Sequence, residues 1–135
     1  MNTQHGRCLC GQVRFEFEGE VNWCGHCHCD SCRRNTSSPM TTFIGVDRDK
    51  FRFTRQQPNV FESSPGVRRH FCGNCGSPVA YDADAYPEEI HFYVAAMQNP
   101  ENFQPQFHVF TREKLSWLHI DENLKQFPGS ESVQS

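Results

Sequence analysis

The sequence is poor in apolar residues and contains no long apolar run. Only 36% of its 135 residues are hydrophobic, and no window approaches the roughly 18 consecutive apolar residues that a membrane span needs. The chain also lacks a positively charged start followed by an apolar stretch, so no secretory signal peptide is predicted. We therefore expect a cytoplasmic protein that contacts no membrane and keeps its thiols reduced.

A surplus of positive charge is absent as well. Thirteen lysines and arginines stand against 16 aspartates and glutamates, which gives a formal net charge of −3. Such a chain has no general electrostatic attraction to nucleic acid, and neither a basic stripe nor a recognition helix is visible. We predict no nucleic-acid partner, and the sequence identifies no protein partner.

Cysteine, in contrast, is abundant and clustered. Eight cysteines fall into three groups, and neighbours within a group lie close together in the chain. Cysteines one or two residues apart bridge to each other only with strain, but they present two sulfurs to one ion, as zinc–sulfur bonds of about 2.3 Å require. The pattern therefore favours zinc over disulfides that link one group to another. The groups are Cys8/Cys10, Cys24/Cys27/Cys29/Cys32 and Cys72/Cys75.

The two outer groups together supply a complete set of four zinc ligands. A zinc ion held by four thiolates has no open position for a substrate, so this site is predicted to be structural. It would clamp the N-terminal segment to the middle of the chain and offset the entropy cost of closing a loop of about sixty residues. Alternatively, each pair takes other ligands, for example His5 or His70. The predicted ligands are Cys8, Cys10, Cys72 and Cys75.

The middle group has a different character, because Cys27, Cys29 and Cys32 offer three sulfurs within six residues. Three protein ligands leave a tetrahedral zinc ion with one open position, which catalysis requires. Three thiolates donate so much charge that the ion becomes a weak Lewis acid towards water, which favours a thiol as the incoming ligand. Cys24 could instead fill the fourth position and close the site, so both arrangements stay open here.

Arginine pairs lie beside two of the cysteine groups. Arg33 and Arg34 directly follow the middle group, and Arg68 and Arg69 come just before the last group. Cations next to anionic zinc–thiolate groups are favourable without any further role. Some of them could also bind the carboxylates of a peptide-like thiol through paired hydrogen bonds. Arg33, Arg34 and Arg69 are therefore candidate substrate contacts.

Most of the remaining sequence has the pattern of β-strands. Val13, Phe15 and Phe17 alternate with charged residues, which is typical of a half-buried strand. One short helix is predicted after Cys29, through Arg34. We predict a single compact all-β domain over residues 1–127 and a polar, disordered tail over residues 128–135. Further strands are predicted at 40–46, 51–53, 69–71, 79–81, 90–94, 107–110 and 115–120.

Four segments, taken in order, form a recognisable pattern. They are GRCLCGQVRF at 6–15, CHCDSCRR at 27–34, RHFCGNCGSP at 69–78 and FHVFTREKLSWL at 107–118. Together they resemble the glutathione-dependent formaldehyde-activating family over nearly the whole chain. The fold implied by this resemblance is an all-β domain of the β-tent type, pinned by zinc.

The resemblance also implies an activity and two zinc ions per chain. The activity is that of S-(hydroxymethyl)glutathione synthase, a carbon–sulfur lyase, in which a thiol (glutathione) adds to formaldehyde or another small aldehyde. Two alternatives remain open: a non-catalytic glutathione or thiol carrier, and a structural zinc-binding interaction module. The implied ligands are Cys8, Cys10, Cys72 and Cys75 for the structural zinc, and Cys27, Cys29 and Cys32 for the catalytic zinc.

Overall fold

Two β-sheets make up most of the fold in the computed structural model, which describes residues 2–130. The smaller sheet has three antiparallel strands, β1 (Thr3–Arg7), β2 (Arg14–Glu18) and β5 (Phe51–Phe53), in the order β1-β2-β5. The strands of the larger sheet are β3 (Trp23–Cys27), β4 (Thr41–Asp47), β6 (Asn59–Ser64), β7 (Val67–Phe71), β8 (Pro78–Ala83), β9 (Glu89–Tyr93), β10 (Phe107–Val109) and β11 (Lys125–Gln126). They lie in the order β11-β10-β3-β4-β9-β8-β7-β6, and only the two pairs made by β10 are parallel.

Helix is confined to short segments. The one α-helix of the described residues, α1, spans Asp30–Thr36 and is the helix predicted after Cys29. Four single 3₁₀ turns occupy Arg48–Lys50, Val94–Ala96, Pro100–Asn102 and Thr111–Glu113. Among residues 2–130, no helical segment has both the length and the apolar character that crossing a bilayer demands. The predicted all-β class with little helix is confirmed.

The main core lies between the two sheets. Phe15 and Phe17 of β2 are fully buried, and both rings stack on Phe92 of β9, with the Phe15 and Phe92 centroids 4.0 Å apart. Burial of a phenylalanine side chain stabilises a fold by about 1.5–3 kcal/mol, so this stack fixes the smaller sheet on the larger one. Gly6 of β1 makes room for it, because a Cβ at that position would lie 2.2 Å from the Phe15 ring.

The two faces of the larger sheet have different surroundings. Cys24 of β3 and its neighbour Ile44 of β4 face the main core. Because side chains alternate along a strand, the residues next to these two in the sequence face the opposite side of the sheet. There Phe43, Tyr93 and Cys27 form a second apolar cluster. The predicted open metal site belongs to this second face.

Most predicted strands are present, with boundaries shifted by no more than two residues. Four strands, β1, β3, β6 and β11, were not predicted. None of them alternates clearly between apolar and polar residues: β3 reads WCGHC, and β6 is exposed along its whole length. Tertiary pairing, rather than local pattern, makes these segments strands.

The predicted final strand at 115–120 is wrong. The segment contains a turn, in which the N–H of Leu118 donates to the carbonyl oxygen of Leu115 at 3.1 Å. The ammonium group of Lys114 also donates to both of these residues' carbonyl oxygens at 3.1 Å. With these backbone groups engaged locally, the segment does not extend, and β11 is the last strand of the part of the chain that the structure describes.

The predicted tail starts at residue 128, and its first residues make contacts. The carbonyl oxygen of Pro128 accepts a hydrogen bond from Arg112 Nε at 2.8 Å, and that of Gly129 accepts one from the Phe110 N–H at 3.3 Å. Residues 131–135 lie outside the described residues, so the disorder expected there and the domain boundary at 127 stay predictions.

Candidate metal centres and substrate cavity

The two outer cysteine pairs meet at one point. Their four Sγ atoms all lie within 4.8 Å of one another, and the Cys8–Cys10 and Cys10–Cys72 Sγ distances are both 3.7 Å. Sulfurs bound at 2.3 Å to one tetrahedral zinc ion lie about 3.8 Å apart. The group therefore fits a four-thiolate zinc site. Its members are Cys8, Cys10, Cys72 and Cys75.

Two turns position these four sulfurs. Cys8 and Cys10 lie in the turn between β1 and β2, and the other pair lies in the turn between β7 and β8. Gly11 and Gly76, each directly after the second cysteine of its pair, have φ angles of 82° and 80°. Residues that carry a side chain rarely adopt this left-handed backbone conformation. Glycine therefore allows the chain to reverse direction immediately after each pair of cysteines.

Nearby N–H groups favour the ionised form of this group. The backbone N–H of Val13 donates to Cys8 Sγ at 3.3 Å, and the Asn74 side chain donates to Cys10 Sγ at 3.3 Å. The Asn74 contact is the main cause of a lowered pKa of Cys10. His5 and His70, the alternative ligands, lie outside the group; they contact Glu16 and Asp82, respectively.

Cys27, Cys29 and Cys32 form the second group, and their Sγ atoms also lie within 4.8 Å of one another. Cys27 ends β3, Cys29 is the N-cap of α1 with its sulfur accepting from the Cys32 N–H, and Cys32 lies in the first turn of the helix. The Cys27 and Cys32 sulfurs are 3.9 Å apart, which again matches two ligands of one zinc ion. No other His, Cys, Asp or Glu within residues 2–130 belongs to this group.

Cys24 is not brought into this group. It is separated from Cys27 by three positions on one strand, so the two side chains face opposite sides of the sheet. Cys24 lies in the main core with 3% of its surface exposed, and burial raises its pKa to about 11. The arrangement thus leaves three sulfurs at the second group and places the fourth among apolar side chains.

Arg69 is the arginine that contacts the second group. Its side chain is buried, with 5% exposure, its Nη1 donates to Cys32 Sγ at 3.2 Å, and its guanidinium lies over the Tyr81 ring. Hydrogen bonds from Cys27 and Cys29, followed by the charge of Arg69, lower the pKa of Cys32. Arg69 therefore stabilises a thiolate at this position.

Arg33 and Arg34 are engaged elsewhere. Asp30 binds both: Arg34 Nε lies 3.0 Å from its carboxylate, and Arg33 Nη2 lies 3.6 Å from it. Arg33 Nε also donates to the carbonyl oxygen of His28 at 3.3 Å. Neither arginine lines the cavity that lies beside the second cysteine group, whereas Arg69 does.

A cavity of about 310 Å³ opens beside the second cysteine group, whose three members all line it. Its volume lies at the small end of the range for small-molecule sites. Among residues 2–130, Arg69 is the only lysine or arginine on its wall, and Glu113 is the only acidic residue. Much of the remaining wall is aromatic: Trp23, Phe43, Tyr81, Tyr86, Phe107 and Phe110, with the imidazole of His91.

A second cavity, of about 580 Å³, lies on another part of the molecule. Cys8, Leu9, Met40 and Met97 are among its lining residues, and none of the second cysteine group lines it. The four sulfurs next to it are already arranged around one point. The cavity of 310 Å³ is therefore the one that adjoins the group of three sulfurs.

Sequence analysis missed a group of three histidines behind the second cysteine group. His28 and His108 are fully buried, and their Nε2 and Nδ1 atoms are 2.9 Å apart. His26 stacks on His108 at 4.7 Å and contacts Thr42 Oγ1 at 2.8 Å. Burial lowers the pKa of His26 and of His28 to about 4. The alternation Cys24, His26, His28 was the signal in the sequence, but only β10 brings His108 to them.

Comparison with known proteins gives a consistent result. A family model described as "Glutathione-dependent formaldehyde-activating enzyme" matches residues 3–113. A Halomonas elongata protein named "Putative glutathione-dependent formaldehyde-activating enzyme" is 25% identical over 127 residues, which cover 86% of this chain and 80% of that protein. A Schizosaccharomyces pombe protein named as an uncharacterized lyase is 30% identical over 83 residues, which cover 60% of this chain and 58% of the relative.

A solved structure supports the fold. The crystal structure of a Rhodobacter sphaeroides protein superposes with a TM-score of 0.59 and 19% sequence identity, and the match covers 91% of this chain and 98% of that one. Similarity at this identity shows that the two chains share a fold.

Proposed function

Because the chain belongs to the family of glutathione-dependent formaldehyde-activating enzymes, we propose that it is a zinc-dependent enzyme of the carbon–sulfur lyase type. It binds a thiol, glutathione in the family's reaction, at a zinc ion held by Cys27, Cys29 and Cys32. The thiol then adds to formaldehyde or another small aldehyde. A second zinc ion, at Cys8, Cys10, Cys72 and Cys75, is structural.

One observation supports this proposal most directly: three sulfurs surround one point, no fourth protein sulfur joins them, and they line a cavity. A closed structural site would need a fourth ligand, and Cys24 faces the opposite side of the sheet. A zinc ion held by these three cysteines would have one position left for a thiol and would lower the pKa of the thiol bound there.

The residues of the chain then determine how the reactants are held. Arg69 donates a hydrogen bond to Cys32 Sγ at 3.2 Å. This hydrogen bond withdraws negative charge from the sulfur, so the sulfur would donate less electron density to a bound zinc ion. The aromatic walls restrict water around the reacting atoms. In the addition, a bond forms between the thiol sulfur and the carbonyl carbon, the carbonyl π bond breaks, and the proton released by the thiol ends on the oxygen. The reverse reaction breaks the carbon–sulfur bond.

X-ray absorption at the zinc edge tests the site. The protein loaded with two zinc ions should average about 3.5 sulfurs per zinc, from one four-sulfur and one three-sulfur site, and glutathione should raise the average to about 4. An average of 4 before any thiol is added would overturn the open-site proposal. Binding with no acceleration of adduct formation would instead identify a thiol carrier.

We also propose that the protein works in the cytoplasm. All eight cysteines lie within the described residues, and none of them forms a disulfide. Both metal groups need reduced sulfurs, and a reducing compartment maintains them. Localisation of the tagged full chain by fractionation would test this.

A further inference from the structure

The cavity beside Cys27, Cys29 and Cys32 is lined by more aromatic surface than formaldehyde can use. Six aromatic side chains line it, together with His91. An apolar cavity of about 150 Å³ is enough to hold benzene, and this one measures about 310 Å³. Formaldehyde has one carbon and one oxygen, so it would leave nearly all of this surface in contact with water.

The polar groups of glutathione find few partners in the same cavity. The tripeptide has two carboxylates and one amine, whereas Arg69 is the only lysine or arginine that the described residues place on the wall. That guanidinium already donates to Cys32 Sγ and lies over Tyr81. Glu113, the only acidic residue on this wall within the part of the chain that the structure describes, accepts a hydrogen bond from the Asp30 N–H at 2.7 Å. The charges of glutathione are therefore better placed outside the cavity.

Two glycines show that the sheet accommodates these aromatic side chains closely. A Cβ at Gly25, in β3, would lie 2.2 Å from the Phe107 ring, and a Cβ at Gly45, in β4, would lie 2.3 Å from the Trp23 indole. Glycine inside a strand weakens it and often marks a close approach. Here both glycines let an aromatic ring lie directly against the backbone.

Polar contacts fix the orientation of the same wall. The Trp23 indole N–H donates to Glu89 Oε1 at 3.2 Å, and His91 Nε2 lies 3.0 Å from the same oxygen. His91 in turn packs edge-on against Trp23 and stacks on Tyr81. The wall is therefore held in place before any ligand arrives, which reduces the entropy cost of binding.

We propose that the sulfur ligand of this site has an aromatic ring on the carbon bonded to its sulfur. The ring occupies the aromatic cavity while the sulfur lies at the three cysteines. This inference depends on the proposed function for its sulfur position. Two sources supply the chemistry: an arylmethyl thiol, or the adduct of a thiol such as glutathione with an aromatic aldehyde.

Trp23 reports on the cavity directly. The chain has two tryptophans, and the other, Trp117, is 65% exposed and does not line the cavity. The zinc-loaded full chain with Trp117→Phe is titrated separately with benzyl mercaptan, ethanethiol and benzyl alcohol, and the fluorescence of Trp23 is measured. Glutathione with benzaldehyde and glutathione with formaldehyde complete the series. Zinc-edge absorption counts the sulfurs in each complex.

We expect benzyl mercaptan to bind at least about tenfold more tightly than ethanethiol, since ring contacts add to the shared sulfur contact. Benzyl alcohol should perturb Trp23 without adding a sulfur. Tighter binding of glutathione with benzaldehyde than with formaldehyde would identify the adduct as the source; a preference shown by benzyl mercaptan alone would identify the thiol. Equal affinities for the two simple thiols, both adding a sulfur, would overturn this inference and leave the proposed function intact.

The proposed function can also fail while the aromatic inference holds. If no thiol adds a sulfur but benzyl alcohol still perturbs Trp23, the proposed function is wrong and the aromatic specificity of the cavity is supported. If benzyl alcohol has no effect and benzyl mercaptan shows no preference, the aromatic inference is wrong.

Matched variants locate the effect. Tyr86→Ala and Phe107→Ala should each weaken the binding of benzyl mercaptan severalfold and leave the affinity for ethanethiol unchanged. Phe61→Ala is the control, because this phenylalanine of β6 is 60% exposed and does not line the cavity. If Phe107→Ala fails to fold, Tyr86→Ala alone tests the inference. An equal loss in the Phe61→Ala control would contradict it.

Discussion

At the scale of single residues, cysteine has three different environments in this chain. Cys8 belongs to the group of four sulfurs, and Cys27 belongs to the group of three. Cys24 belongs to neither; it lies in the main core, where burial raises its pKa to about 11. At neutral pH it is therefore a protonated thiol and packs like a small apolar side chain.

The first prediction compares Cys24→Ala with Cys29→Ala. Cys24→Ala should keep two zinc ions per chain, because its sulfur faces the main core, and should lower stability by about 1 kcal/mol through the lost volume. Cys29→Ala should keep one zinc ion, with an unchanged circular dichroism spectrum. Zinc release measured with a colorimetric chelator checks both. Loss of a zinc ion from Cys24→Ala would mean that Cys24 is a ligand.

The second prediction concerns Asp82, which is buried beside His70 and Arg68. Burial alone would raise its pKa, but the hydrogen bonds from these two residues outweigh burial and lower it. Because the pKa is lowered, ionised Asp82 contributes its full stabilisation to the fold at pH values above the pKa of about 3.9 that an aspartate has in the unfolded chain. This contribution is lost as the pH falls through the pKa of Asp82 in the folded protein. Asp82→Asn should therefore cost about 2 kcal/mol at pH 7.

The measurement for Asp82 is urea unfolding of the wild type and the variant from pH 7 to pH 3. Both proteins should release zinc alike on acidification, so the difference between them isolates this carboxylate. The difference should shrink below about pH 4. Asp49→Asn, at an exposed position, should show no difference at any pH. A constant difference for Asp82→Asn would rule out the charge as its cause.

At the scale of elements, β3 and α1 together form the second cysteine group. Cys27 ends the strand, and Cys29 caps the helix whose first turn contains Cys32. β10 pairs in parallel with β3, opposite His26 and Cys27, and begins with Phe107 of the cavity wall. The sulfurs and the cavity thus depend on the same strand pair.

The third prediction tests the close approach of β10 to β3. Gly25→Ala places a Cβ 2.2 Å from the Phe107 ring, so it should cost about 1–3 kcal/mol through overpacking. In combination with Phe107→Ala, which removes the ring, the substitution should cost much less. Chemical unfolding of the two single variants and the double variant gives the interaction energy. Additive costs would show that Phe107 is not the residue with which the new methyl group clashes.

At the scale of the whole molecule, the four-sulfur group joins the two sheets. One of its pairs follows β1 of the smaller sheet, and the other follows β7 of the larger sheet. Cys10 and Cys72 are 62 positions apart in the chain, and their sulfurs are 3.7 Å apart. A metal ion bound there closes a long loop, so its binding energy adds to the stability of the fold.

The fourth prediction follows from this connection. Cys72→Ser should lose one zinc ion and unfold or aggregate, whereas Cys29→Ala loses its zinc ion and stays folded. Zinc analysis together with thermal unfolding measures both effects. A Cys72→Ser variant that keeps two zinc ions and its melting temperature would contradict the assignment of ligands at the four-sulfur group.

The sequence predicted the strands whose apolar residues alternate, such as β2 with Phe15 and Phe17, because that pattern is local. It failed at β3 and β6, which pair through the backbone without an apolar pattern. It also placed a strand at 115–120, where hydrogen bonds from Lys114 to backbone carbonyl oxygens stabilise a turn. Side chain to backbone contacts of this kind cannot be deduced from alternation.

The sequence by itself determined the two cysteine groups. Short spacings such as Cys27-His28-Cys29 bring sulfurs together whatever the rest of the chain does, and the resemblance in the cysteine motifs indicated how the groups combine. Only the tertiary structure placed Cys24 in the main core, engaged Arg33 and Arg34 with Asp30, and assembled the aromatic cavity. Those features depend on which face of a sheet a side chain occupies and on which distant strands pair, and neither is encoded in local spacing.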